Sequence, residues 1–224
     1  MCGRFTLFAP YHDIIERFSI ESAFEESEYM PSYNIAPSQQ VAAIINDGSK
    51  NRLGYLRWGL IPPWAKDEKI GYKMINARAE TIAEKPSFKQ AFTKRRCIIP
   101  ADSFYEWQRK DGEKIPMRIK LKSNSMFGIA GLWESWQSPD GKTIYTCTAI
   151  TTEPNNLVKP IHNRMPVILK KEEEAKWLDP SITDIHFLGN MLQSFDEDQM
   201  EAYEISPAVN SPKYNDPSLI KPVC

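Results

Sequence analysis

The second residue of the chain carries the groups with the clearest chemical potential. The sequence begins Met1-Cys2-Gly3-Arg4, and removal of Met1, expected before a residue as small as Cys, would leave Cys2 with a free α-amine beside its thiol. The amine can act as the base for the thiol in an N-terminal nucleophile. Alternatively, the amine and then the thiol can attack one aldehyde and close a five-membered thiazolidine, since an α-amine is partly neutral at pH 7. The remaining interpretation is that Cys2 is a small buried hydrophobic residue.

Two polar segments offer groups that could contact a substrate. Asn76 and Arg78 are two residues apart, so on a strand they would share one face. An amide beside a guanidinium suits a sugar or a phosphate, although an ion pair of Arg78 with Glu80 is an equally good interpretation. Asn34 and Pro37 lie in an extended segment where the Asn could stabilise a turn or make a contact.

Two titratable residues are candidates for proton transfer. Glu106 lies between Tyr105 and Trp107 on a predicted strand, and a carboxylate among aromatic rings has a raised pKa suited to acid and base catalysis near neutrality. The alternative is an exposed Glu on the polar face of the strand. His162 is one of three histidines and precedes Arg164 in a proline-bracketed loop, so it is an acid/base candidate, although most lone histidines are structural.

The charges are distributed unevenly along the chain. The net charge is −1, but residues 50–122 hold 18 Lys and Arg against 8 Asp and Glu, whereas the rest of the chain holds 10 against 21. Aromatic residues, including Trp58 and Trp64, are interleaved with these basic residues. This composition is typical of grooves that bind single-stranded nucleic acid, unless the charges are separate solvated faces that never converge.

Bulk properties exclude several classes of protein. The 224 residues suit one domain, no run approaches the roughly 18 apolar residues of a membrane span, and no signal peptide is recognisable. The four cysteines are scattered without a C-x-x-C pair, so neither a zinc site nor a disulfide framework is expected: Cys2, Cys97, Cys147 and Cys224. The sequence predicts a cytoplasmic protein that needs no cofactor.

The elements expected to position these residues are mostly strands. Hydrophobic spacing predicts helices at 11–18, 86–96, 172–178 and 185–195. Alternation and turn residues predict strands at 41–45, 52–60, 97–99, 103–108, 117–121, 127–133, 144–151, 167–169 and 201–205. We expect a single α+β domain over residues 1–224, built on a mainly antiparallel sheet with short flanking helices and a Pro-rich tail from about residue 207.

Six motifs in a fixed order give the chain a family resemblance. They are MCGRF at 1–5, YNIAP at 33–37, RWGLIPPW at 57–64, INARAET at 75–81, FYEW at 104–107 and IHNRMP at 161–166. The series resembles the SOS-response-associated peptidase family, whose members process abasic sites in DNA, and the resemblance runs from residue 1 to about 210. It implies that the sheet is barrel-like.

The resemblance also implies roles for individual residues. Cys2 would form a thiazolidine with the ring-opened aldehyde of an abasic site in single-stranded DNA, with Asn76 near the sugar, Glu106 as the acid/base and His162 as a second proton-transfer group. The expected DNA contacts are Arg4, Asn34, Pro37, Trp58, Trp64, Arg78, Lys85, Phe88, Thr151 and Arg164. Some relatives place an Arg beside the Phe of the segment Lys85-Pro86-Ser87-Phe88; here Lys85 is the nearest cation, and at this phosphate contact the chain departs from the pattern. Lyase and self-processing peptidase activities, a monomeric state and no membrane partner are also implied.

Two other functions share parts of this pattern. A non-catalytic reader of single-stranded or modified DNA would use the same basic, aromatic block, with Cys2 only structural. A class II glutamine amidotransferase also begins Met-Cys-Gly, but that family would have an Arg-Gly-Pro-Asp stretch and an Asn-Gly turn, and this sequence contains neither.

Overall fold

The structure is a computed structural model that describes residues 2–223, within which the chain forms thirteen strands and four α-helices. The strands are β1 (Phe5–Leu7), β2 (Ser22–Ala23), β3 (Ser32–Ile35), β4 (Gln40–Asn46), β5 (Asn51–Trp58), β6 (Asn76–Arg78), β7 (Arg96–Ala101), β8 (Ser103–Lys110), β9 (Glu113–Leu121), β10 (Phe127–Gln137), β11 (Thr143–Thr152), β12 (Met165–Pro166) and β13 (Met200–Glu204). The helices are α1 (Tyr11–Arg17), α2 (Lys89–Lys94), α3 (Lys171–Leu178) and α4 (Ile185–Asn190). Short 3-10 turns occupy Glu26–Glu28, Glu68–Lys73, Ala79–Thr81, Glu197–Gln199, Pro207–Asn210 and Pro217–Ile220.

The larger sheet closes into a barrel. Its strands run β11-β10-β7-β4-β5 with antiparallel pairing, and β5 then returns to β11 in parallel, so that Arg57 pairs with Thr146 and Trp58 with Cys147. Closure removes the open edges that a five-stranded sheet would otherwise present. β6 and β12 extend β11 beyond this closure. The predicted α+β class with a barrel-like, mainly antiparallel sheet is confirmed.

A second sheet, ordered β13-β9-β8-β1-β3, carries the N-terminal strand and the β8–β9 hairpin. The hairpin turn is Asp111-Gly112, whose φ angles are 51° and 85°. Two consecutive positive φ angles define a type I′ turn, which matches the twist of the flanking strands and favours this Asp-Gly sequence. The turn fixes the register in which Arg109 lies opposite Lys114.

The core is a single large cluster of apolar side chains. Branched residues of β4, β7 and β11, such as Ile44, Ile98 and Ile150, are completely buried, in strands where consecutive residues on both faces are buried. None of the helices between residues 2 and 223 is long and apolar enough to cross a membrane.

Most predicted elements occur where the sequence indicated them, many with shifted bounds, and three fall well short of the predicted range. The helix predicted at 86–96 begins only at Lys89, because residues 86–88 form a turn, and it ends at Lys94, because Arg95 adopts φ −133° and ψ 61°. The helix predicted at 185–195 ends at Asn190. The strand predicted at 167–169 is represented by β12 and by single bonds beyond it, such as the one from Ala130 N–H to Val167 O at 2.9 Å.

Candidate functional site

The N-terminal segment is held between the two sheets. β1 pairs with β8 so that Phe5 lies opposite Phe104, and the Tyr105 N–H donates to Arg4 O at 2.9 Å. The antiparallel register then carries the residues before Arg4 along the part of β8 that contains Glu106. Met1, whose removal the sequence predicts, and Cys224 lie outside the described residues.

Asn76 fixes Cys2 from the barrel side. The parallel pairing of β6 with β11 sets Asn76 level with Ala149, and its Nδ2 donates to Cys2 O at 2.9 Å. Its Oδ1 is buried and accepts no hydrogen bond within residues 2–223. A buried amide oxygen without a donor is unfavourable, so this atom is suited to an N–H group supplied at the site.

Burial keeps the Cys2 thiol neutral. Cys2 is 1% exposed, and this burial, followed by the nearby Glu106 carboxylate, raises the pKa of the thiol well above its usual value. A neutral thiol is a weak nucleophile, because the thiolate is the reactive form. Attack by sulfur therefore needs a base beside it, and Glu106 is a carboxylate close enough to affect the pKa of the thiol.

Glu106 and His162, the two predicted proton-transfer residues, lie side by side. Glu106 is 2% exposed, and burial raises the pKa of its carboxyl to about 7. His162 Nδ1 lies 3.8 Å from Glu106 Oε1, and burial lowers the pKa of the imidazole. Nδ1 lies 3.1 Å from the Arg164 N–H and 3.2 Å from Arg164 O, so the backbone of Arg164 holds the ring at this nitrogen. Near neutrality the carboxyl is thus partly protonated while the imidazole is neutral.

The loop that carries His162 is anchored by a buried amide. Asn155 Oδ1 accepts from Val158 N–H at 3.0 Å, and its Nδ2 donates to Phe195 O at 2.8 Å. His162 N–H then donates to Val158 O at 2.8 Å. These bonds fix the backbone on which the imidazole is oriented.

Glu106 and His162 share a cavity of about 480 Å³ with residues that the sequence analysis did not assign. Its other lining residues are Trp107, Arg109, Lys114 and Asn210. Trp107 could have been found from the FYEW motif. Arg109 and Lys114 follow only from the register of the hairpin, and Asn210 reaches the site through the folding of the C-terminal tail.

Arg4 and Asn34, both predicted to contact DNA, hold the C-terminal tail against the sheet. Arg4 donates to Asn34 Oδ1 at 2.8 Å, and Asn34 Nδ2 donates to the carbonyls of Ser211 at 3.0 Å and Tyr214 at 2.8 Å. Asn34 is buried, so its polar atoms are used within the chain. The alternative interpretation of Asn34, a role in local structure, fits this arrangement.

Trp58 lies in the core rather than on a nucleic-acid-binding surface. It is 1% exposed, its Nε1 donates to Ile75 O at 2.8 Å, and its ring meets Phe5 edge-on at 5.2 Å. An indole enclosed in this way offers no face on which a base could stack. Trp64, by contrast, is 58% exposed and has the access that stacking requires.

Thr151 and Arg164 are connected to each other and to Glu80. Arg164 donates both arms of its guanidinium to the Glu80 carboxylate, at 2.7 and 2.9 Å, and also donates to Thr151 O at 2.7 Å. These hydrogen bonds lower the pKa of Glu80. Glu80 therefore pairs with Arg164 rather than with Arg78, which is exposed on β6 level with Thr151.

The remaining predicted contacts lie in turns around the site. Pro37 is half-buried in a turn whose next residue, Ser38, has a φ of 73°, and Ser38 N–H donates to Trp58 O at 2.8 Å. Lys85 is exposed, whereas Phe88 is half-buried against the core at the start of α2.

Several of the Lys and Arg side chains of residues 50–122 form contacts within the fold. Ion pairs engage Arg52 with Asp47, Arg57 with Glu68, Arg95 with Glu134 and Lys120 with Glu201. Arg96 and Arg118 are buried and donate to backbone and side-chain oxygens. The count of positive charge therefore overstates the charge available to a polyanion. No cluster of three or more His, Cys, Asp or Glu side chains suited to a metal ion occurs in the described part of the chain.

Comparisons with known proteins agree in their assignment. The sequence model described as "SOS response associated peptidase (SRAP)" matches residues 1–212. The chain is 64% identical over 222 residues to the abasic site processing protein YoqW of Bacillus subtilis, with 99% of each chain covered. It is 34% identical to the abasic site processing protein HMCES of Xenopus tropicalis, over 69% of this chain and 56% of that one. A crystal structure of a protein from Bacteroides thetaiotaomicron superposes with a TM-score of 0.91 at 32% identity, over 100% of both chains.

Proposed function

Because the chain belongs to the SOS response associated peptidase family, we propose that it captures abasic sites in single-stranded DNA as a covalent thiazolidine on Cys2. The observation that carries this proposal is the constellation of Cys2, Asn76 and Glu106. The Asn76 amide holds the backbone carbonyl of Cys2, and the buried Cys2 thiol lies near the Glu106 carboxyl, whose pKa is about 7.

The chemistry requires a free α-amine, so Met1 must first be removed. The abasic deoxyribose opens from its hemiacetal to the aldehyde, and the amine adds to C1′ to give a carbinolamine, which loses water to form an imine. The Cys2 sulfur then adds to the same carbon of the protonated imine; the ring nitrogen keeps its own proton, and the thiol proton returns to the group that protonated the leaving hydroxyl. The product has the mass of protein plus DNA minus one water.

The site residues fit separate steps of this sequence. Protonated Glu106 donates to the hydroxyl that leaves the carbinolamine, and the resulting carboxylate then accepts the thiol proton. His162, whose pKa is lowered by burial, carries one proton on its neutral ring and donates a hydrogen bond to the sugar ring oxygen as it opens. Asn76 Oδ1 accepts from the α-amine and aims it at C1′.

The same intermediate accounts for a lyase activity. An imine makes the adjacent C2′ proton acidic and permits β-elimination of the 3′ phosphate, which would cut the strand. Closure to the thiazolidine removes the imine and suppresses cleavage. The peptidase activity in the family name is limited in this proposal to the removal of Met1 by the protein itself.

The DNA is held by the exposed members of the predicted set. Arg78 binds a phosphate beside the lesion, and Trp64 stacks on a neighbouring base. We expect a monomer to suffice for both contacts, and we assign the protein to the cytoplasm.

Intact mass spectrometry tests the proposal. The purified protein is measured alone and after incubation with a single-stranded oligonucleotide that carries one abasic site, with a Cys2→Ala variant as the control. Loss of Met1 and a heat-stable adduct with the mass given above, absent from the variant, are expected. A protein that lacks Met1 and binds the oligonucleotide without gaining mass would instead be a non-covalent reader.

A further inference from the structure

The cavity that contains Glu106 and His162 also has a basic wall. Arg109 lies on β8 and Lys114 on β9, and both side chains are exposed at the end of the hairpin. Trp107, two residues before Arg109, lies on the same face of the hairpin. Its Nε1 donates to Asn210 Oδ1 at 2.7 Å, and the Arg4 guanidinium lies 5.9 Å from its ring centroid. These contacts fix the Trp107 side chain beside the basic wall.

The two basic residues are placed where the fold alone would not favour them. In the register of the hairpin, Arg109 is directly opposite Lys114, whereas the next pair, Lys110 and Glu113, has opposite charges. Like charges directly opposite on adjacent strands are destabilising. Among the ion pairs within residues 2–223, none includes Arg109 or Lys114. The repulsion is therefore not offset by a carboxylate of the described chain.

We propose that Arg109 and Lys114 bind a backbone phosphate of the DNA strand, next to the abasic nucleotide. The inference rests on the proposed function, since a deoxyribose within a strand carries phosphodiesters at its 3′ and 5′ oxygens and brings them into the same cavity. The planar Arg109 fork can bind two phosphate oxygens, and the Lys114 ammonium adds a point charge. An anion between them converts the repulsion into two attractive contacts.

The test compares two variants that remove the same charge. R109Q/K114Q alters the cavity wall, and K94Q/K176Q removes two exposed lysines from α2 and α3, which do not line the cavity. Each is titrated with a single-stranded oligonucleotide that contains one tetrahydrofuran abasic analogue, which has no aldehyde and binds only non-covalently. Affinity is measured by fluorescence anisotropy over a range of KCl concentrations.

One neutralised phosphate gives a definite expectation. It contributes about 0.7 to the magnitude of the slope of log K against log salt for a single strand, so R109Q/K114Q should lower that magnitude by about 0.7 and the affinity by roughly 8-fold at about 50 mM salt. The control variant should keep the wild-type slope. An equal effect of both variants, or an unchanged slope in R109Q/K114Q, would overturn the inference.

A charge reversal separates binding from folding. K114E creates an opposite-charge pair with Arg109, so it should raise the melting temperature of the free protein while weakening DNA binding at least as much as K114Q. A lowered melting temperature would show that the basic pair serves the fold. Crosslinking of an aldehydic abasic oligonucleotide by the wild type is followed in parallel. If the wild type crosslinks but R109Q/K114Q keeps the wild-type salt slope, only this inference fails. A wild type that neither binds nor crosslinks the oligonucleotide refutes the proposed function.

Discussion

Replacing Glu106 by Gln should stabilise the protein while slowing its chemistry. The carboxyl has a pKa of about 7 in the folded chain because it is buried, against 4.5 in the unfolded one. Between these two values the folded state binds more protons than the unfolded state, so the contribution of Glu106 to stability decreases as the pH rises. The difference of about 2.5 pKa units corresponds to about 3 kcal/mol, which is lost between about pH 4.5 and pH 7.

Gln cannot ionise and does not undergo this loss. Between pH 4 and pH 8 the free energy of unfolding of the wild type should therefore fall by about 3 kcal/mol more than that of Glu106→Gln. For a chain of this size that difference is about 6–12 °C in melting temperature. Urea denaturation at several pH values, followed by tryptophan fluorescence, measures the free energy, and crosslinking rates on an abasic oligonucleotide measure the chemistry.

Glu134 supplies the matched control. It is also 2% exposed, but it pairs with Arg95 at 2.9 Å. Glu134→Gln leaves the Arg95 guanidinium without that carboxylate, so it should destabilise the protein at pH 8 and leave crosslinking unchanged. Two results would refute the assignment of Glu106 as a buried carboxyl with a raised pKa. One is that Glu106→Gln destabilises the protein as much as Glu134→Gln, and the other is that its stability relative to the wild type does not vary with pH.

Three further predictions separate structural from DNA-binding residues. Asn34→Ala should lower the free energy of unfolding by about 2–4 kcal/mol, because it removes a buried amide that holds carbonyls of the C-terminal tail; a change below about 0.5 kcal/mol in urea denaturation would contradict this role. Arg78→Ala should reduce the salt slope of single-strand binding by about 0.7, with Lys94→Ala as the control, and an unchanged slope would remove Arg78 from the phosphate contacts. Trp64→Ala should weaken binding by about 1–3 kcal/mol without changing the melting temperature, whereas Trp58→Phe should do the reverse; the opposite pattern would refute the assignment of the two rings.

The sequence contained the information for the local elements and for the chemistry of single residues. The Asp111-Gly112 turn, the apolar runs of β4 and β11 and the amphipathic α1 follow from backbone preferences and side-chain pattern, which are local properties. Cys2 and Glu106 could be singled out from their types and neighbours. The six ordered motifs predicted the family, and the comparison with known sequences confirmed it.

Only the tertiary structure decided how each of these groups is used. Trp58 and Trp64 look alike in the sequence, but the parallel closure of β5 on β11 buries the first and leaves the second exposed. Arg4 and Asn34 are 30 positions apart in the sequence, and they meet because the fold places both against the C-terminal tail. Similarly, the register of one hairpin sets Arg109 against Lys114. Such pairings depend on long-range strand order and on solvent exclusion, which no local pattern encodes.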